Sequence, residues 1–173
     1  MRAAILALLA FAGAADAHLH AETERQAALT LAPGGVTLRL TVVPGTEEGP
    51  AIAARIDADG DGVVSEAEAW IVAEELLAAT ALAADGAPVA LRPSAAEADP
   101  PDWLAAGMGY VIVEAVAELS LAEVGTLVLD VTHDAFGAGW FVQPCYADGL
   151  VETVGQPSID RNGDGVVIRL DGQ

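Results

Sequence analysis

The segment that most constrains this chain lies between residues 57 and 68. It reads Asp57-Ala58-Asp59-Gly60-Asp61-Gly62-Val63-Val64-Ser65-Glu66-Ala67-Glu68. Three carboxylates at alternate positions converge on the inside of a bend, and Gly62 permits a turn that a residue with a Cβ resists. Helical patterns stand on both sides. Upstream, Pro50 suits a first helical turn, and Ile52 and Ile56 fall on one face of a helix over 48–56. Downstream, Ala69, Val72, Ala73 and Leu76 line one face of a helix over 66–80. The expectation is a helix, an acidic loop and a second helix across residues 48–80.

The rest of the chain is patterned for strands. Ala28–Leu31 and Val36–Val42 alternate apolar and polar residues around Ala32-Pro33-Gly34-Gly35, which predicts a hairpin. Residues 81–84 and 89–91 flank the turn dipeptide Asp85-Gly86. Residues 93–107, rich in Pro, Ala, Asp and Glu, read as a long surface loop. Strands are predicted again over 110–119, 127–133, 140–143 and 166–170. Short strands separated by turns suggest a sandwich. The expected fold class is therefore α+β: a β-sandwich-like domain with the helix-loop-helix inserted between its second and third strands. No internal domain boundary stands out.

The string 57–68 resembles the EF-hand calcium loop, a family whose twelve positions have defined duties. The resemblance covers residues 48–80. It implies that Asp57, Asp59 and Asp61 offer side-chain oxygens and Val63 its backbone carbonyl. Ser65 would ligate directly or through water, and Glu68 would supply two oxygens at once. A carboxylate at Glu68 also suits a helix N-terminus. Calcium, a hard cation that takes six to eight oxygens at about 2.3–2.6 Å, is the ion implied.

A second string, Asp160-Arg161-Asn162-Gly163-Asp164-Gly165-Val166-Val167, repeats the opening letters of the first. Its ninth position is Ile168, which has no side-chain oxygen, and its twelfth is Asp171, two residues from the end of the sequence. Asp160, Asn162, Asp164 and Asp171 are candidates for a weak second site; the other reading is a turn into a final strand. Because EF-hand loops pair through their eighth position, Val64 and Val167 are expected to form a short backbone bridge.

Met1-Arg2 followed by the apolar run Ala3–Ala15 has the form of a secretory signal peptide over 1–17, with cleavage before His18 or, alternatively, before Asp16. The run is shorter than the ~20 apolar residues that span a bilayer. Residues 18–173 then form a single extracytoplasmic, periplasmic or secreted β-rich domain with no membrane insertion after cleavage. Its formal net charge of −19 repels phosphate backbones and anionic lipids, which excludes nucleic acid as a partner and favours a cation. The single cysteine, Cys145, rules out an intrachain disulfide and reads as a buried packing residue.

His18, His20 and His133 are the only histidines. A free amine at His18 with its imidazole, completed by His133, would suit copper or nickel. The chain from 18 to 150 also resembles the extracytoplasmic domains that accompany bacterial nickel/cobalt permeases. The residues that carry this are the early His, the Asp-Gly-rich loop, Leu82-Ala83-Ala84-Asp85-Gly86-Ala87-Pro88-Val89, and Trp140-Phe141-Val142-Gln143-Pro144. It implies an accessory that handles nickel, cobalt or copper for a transporter. The sequence contains no Gly-x-Ser-x-Gly, phosphate-cradling Gly-Lys loop or His-Glu-x-x-His. The acid pairs Glu47-Glu48 and Glu74-Glu75 read as solvated faces, and Trp70, Trp103 and Trp140 as packing residues. The expectation is a calcium-binding protein and not an enzyme.

Overall fold

The computed structural model describes residues 21–170. The first hairpin forms as its alternation dictates: β1 (Glu24–Ala32) and β2 (Gly35–Val43) pair antiparallel, with Ala32 opposite Gly35 across Pro33-Gly34. Leu29, Leu31, Leu38, Leu40 and Val42 point to one side and are buried. Burying side chains of this size contributes roughly 1.5–3 kcal/mol each, which ties the hairpin to whatever covers that face.

From β2 the chain enters α1 (Gly49–Ile56) and α2 (Glu66–Ala78), separated by the acidic loop. Next come β3 (Thr80–Ala84), β4 (Ala87–Val89), β5 (Arg92–Ala98) and the short α3 (Pro101–Ala105). They are succeeded by β6 (Val111–Glu118), β7 (Thr126–Val131), β8 (Phe141–Tyr146) and α4 (Leu150–Val154). The hairpin β9 (Ser158–Asn162) and β10 (Gly165–Arg169) closes the described chain.

The strands make two five-stranded sheets. One runs β5-β6-β2-β1-β8 and the other β4-β3-β7-β10-β9. All pairings are antiparallel except β1 with β8, which is parallel. Leu82, Leu127, Leu129, Val166 and Ile168 of the second sheet join the first sheet's leucines in one apolar cluster. Ile52 and Ile56 of α1 and Val72, Ala73 and Leu76 of α2 enter the same cluster. The architecture is α+β, with the helical pair inserted where the chain passes from the first sheet to the second.

Several expectations need correction. Residues 93–107 are not a loop: they hold most of β5 and all of α3. β5 is an edge strand, where Pro93 is tolerated beside a register shift between Pro93 and Ala95. Pro101 at the start of α3 is pre-organised for a first helical turn. Cys145 is only half buried, its Sγ 3.9 Å from the Gln143 carbonyl. Trp140 is buried, but Trp103 is 51% exposed. The expected signal segment and the residues His18, His20 and Asp171 lie outside the described residues. Among the described residues, no helix is long and apolar enough to cross a membrane.

Candidate metal centre

α1 ends at Ile56, and Asp57 caps it with its N–H donated to the Ala53 carbonyl and ψ at 76°, which turns the chain out of the helix. The loop then folds onto its own carboxylates. The Asp61 N–H reaches Asp57 Oδ1 and Asp59 Oδ1, both at 3.1 Å. Gly62 N–H donates to Asp57 Oδ2 at 3.0 Å, and Val63 N–H to Asp61 Oδ1 at 2.8 Å. Gly60 and Gly62 hold φ values of 72° and 83° in open space, so the requirement there is left-handed backbone and not room.

The result is a trio: one carboxylate oxygen each from Asp57, Asp59 and Asp61, all within 4.8 Å of one another. Among the described residues this is the one grouping of acid, histidine or cysteine side chains with metal-ligand spacing. At that spacing in water each pair repels by about 1 kcal/mol, a tension that a divalent cation between them reverses.

Ser65 and Glu68 do a different task in this arrangement. Ser65 is the N-cap of α2, and its hydroxyl accepts from Glu68 N–H while the Glu68 side chain accepts from Ser65 N–H. Glu68 Oε2 is 2.9 Å from Ser65 N and 2.8 Å from Ser65 Oγ. Its Oε1 accepts from Ala58 N at 2.8 Å and Asp59 N at 3.5 Å, so the carboxylate also closes the start of the loop. The Ser65 backbone and hydroxyl bonds chiefly hold the Glu68 carboxyl below its ordinary range; partial burial opposes them, and the Ala58 and Asp59 N–H groups add to them. Glu68 therefore stands beside the trio and not within it. The Val63 side chain is 61% exposed.

The second string folds as a hairpin. Gly163, at φ 59°, takes the first central position of the two-residue turn joining β9 to β10. Asp160 pairs with Arg169, and Asp164 Oδ1 accepts from Trp140 N–H at 2.9 Å. Asp160 and Asp164 thus each have a partner within the fold. The expected bridge between Val64 and Val167 is absent, because β10 is an interior strand. Val167 faces Val128 on one side and Asp160 on the other, which leaves no free backbone for Val64.

His133 is buried within the body of the protein, 6% exposed, with its ring 4.9 Å from that of Phe136. Its Nε2 lies 3.1 Å from Glu75 Oε1, and its backbone carbonyl accepts from Trp140 Nε1 at 2.8 Å. Nδ1 has no hydrogen-bond partner among the described residues. Glu75, expected on a solvated face, also binds Arg55 Nη2 through the same Oε1. Burial raises the Glu75 carboxyl, but the His133 and Arg55 hydrogen bonds and charges together outweigh it and hold the group below its ordinary value. No pattern at helical spacing announces this cluster, since its members come from α1, α2 and the segment after β7. The only hint is a basic residue in the last turn of α1, where a cation suits the helix dipole.

Comparison with known protein families, curated proteins and solved structures finds no match.

Proposed function

We propose that the loop from Asp57 to Glu68 binds one calcium ion in the manner of an EF-hand loop, and that the ion braces an exported β-rich domain. The observation that carries this reading is the approach of the Asp57, Asp59 and Asp61 carboxylate oxygens to within 4.8 Å of one another. All-oxygen donors from carboxylates, a backbone carbonyl at Val63 and a hydroxyl at Ser65 suit a hard cation, and calcium accepts irregular shells better than magnesium does. The first and last acids of the loop stand on the flanking helices, Asp57 at the end of α1 and Glu68 in the first turn of α2.

Glu68 completes the shell only by exchanging its bonds to Ser65 for the ion. That exchange, together with an unpaired loop, sets the affinity in the weak extracellular range, roughly 10⁻⁴–10⁻³ M. At such affinity the ion is structural and not a signal. It stabilises the folded state by linkage, about 2.7 kcal/mol at a hundredfold excess over the dissociation constant. Export is part of the proposal and rests on the leader-like residues 1–17.

Calorimetric titration of calcium into chelator-treated protein tests the reading, with nickel and copper titrated in parallel. Uptake near one equivalent, weakened by Glu68→Gln, is expected. Absence of calcium uptake with tight nickel or copper binding refutes it and transfers the function to the histidines.

A further inference from the structure

The geometry points to Arg55 and Glu75 as a positioning pair that sets the ion affinity of the Asp57–Glu68 loop, an inference that rests on the calcium reading of that loop. Arg55 sits in the last turn of α1, two residues before Asp57, and Glu75 lies two turns into α2, beyond Glu68. Their side chains meet across the gap between the helices. The pair thus ties the arm that presents the first acid of the loop to the arm that presents the last.

An ion pair this exposed, with Arg55 at 47% and Glu75 at 34%, ordinarily holds little. Glu75 differs because its other partner is fixed. The same Oε1 meets His133 Nε2, whose ring is 4% exposed, packed on Phe136 and anchored through its carbonyl by Trp140. Trp140 is in turn held by Asp164 of the β9–β10 turn. Arg55 therefore grips an anion that the body of the protein has already placed. Ile56 and Val72 pack into the core beside it, so the two helices are held both by apolar burial and by this clamp.

The experiment has a sign that separates positioning from simple charge. Arg55 is a cation close to Asp57, so by charge alone its removal tightens cation binding. As a clamp, its removal loosens the loop and weakens binding. Calcium affinity is measured by calorimetry for the full chain and for Arg55→Gln, Arg55→Lys, Glu75→Gln and Glu74→Gln. Glu74 is exposed on the same helix and controls for the lost negative charge.

Arg55→Gln is expected to weaken calcium about two- to fivefold, the range an ion pair of this exposure carries, with Arg55→Lys restoring most of it. Glu75→Gln is expected to weaken binding beyond Glu74→Gln by a similar factor. Unchanged or tighter binding in Arg55→Gln overturns the inference, as do equal affinities in the two glutamate variants. A fall in the melting temperature of the ion-free protein without a change in affinity also overturns it, assigning the pair a structural role alone. If the unaltered protein takes up no calcium, the reading of the loop itself fails, a result distinct from any of these.

Discussion

Residues 57–64 and 160–167 share an opening Asp, an Asp or Asn at the third position, Gly-Asp-Gly and two valines, yet they fold differently. The first curls around its own carboxylates and gathers three of them. The second is a β-hairpin turn whose Asp160 is neutralised by Arg169 and whose Asp164 holds Trp140. The residues on the C-terminal side of each string decide the difference. After Val64 come Ser65 and Glu68, a reciprocal cap that starts a helix and leaves the preceding loop to itself. After Val167 comes Ile168, fully buried, which pulls its strand into the core between β7 and β9. A shared acidic motif is thus a permissive bend, and its neighbours determine whether its acids converge.

The contrast is broken most sharply by removing one acid from each string. Asp59→Ala is expected to abolish calcium uptake, and Asp160→Ala to leave the stoichiometry unchanged in the same calorimetric assay. Equal losses from both would mean that the hairpin also ligates. The next largest effect is on stability. Ile168→Ala should cost about 2–5 kcal/mol in denaturant unfolding, because the side chain is wholly buried. The exposed Val63→Ala, near the end of the other string, should stay within about 0.5 kcal/mol.

Ser65→Ala sharpens the comparison from the helix side. Loss of the cap should cost about 0.5–2 kcal/mol in the ion-free protein, read as a lower unfolding midpoint. The smallest effect expected is acid sensitivity away from the loop. Glu48 is held below its ordinary range, chiefly by the Thr23 hydroxyl, with burial opposing and the Thr23 N–H and Arg25 charge assisting. Because its folded value is depressed, its contribution to stability is full above the ordinary carboxylate range and is lost as pH falls through the lower folded value. Replacing Glu48 with Gln should flatten that part of the stability profile, measured by unfolding from neutral pH into acid; an unchanged slope would disprove the assignment.

Alternation of apolar residues made β1, β2, β6 and β7 legible, since one face of each is buried and the other is not. The same rule misses β9, where Ser158, Asp160, Arg161 and Asn162 leave Ile159 as the lone apolar residue of an edge strand. α4 is hidden because it is five residues long and bracketed by Gly149 and Gly155, which read as loop punctuation. At the candidate site, the spacing of Asp57, Asp59 and Asp61 announces their convergence. The dual task of Glu68 is less visible, because a ligand at loop position twelve and a capping-box acid three residues after Ser65 are the same letter. Nothing in the sequence places His133 against Glu75, a contact between residues 58 positions apart that only the tertiary packing around α2 creates.

The parallel seam between β1 and β8 bears on the order in which the chain can acquire its shape. β1 lies between β2, its immediate successor, and β8, which ends at Tyr146. The first sheet takes β1 and β2 from before the helical pair and β5, β6 and β8 from after it. An emerging chain can therefore close its first hairpin early, but that hairpin keeps a bare hydrogen-bonding edge until on the order of a hundred further residues have arrived. Such long-range closure makes for slow folding and a prolonged vulnerable intermediate. A chain truncated before Phe141 would be left with that edge permanently unpaired, so the domain is acquired nearly whole or not at all.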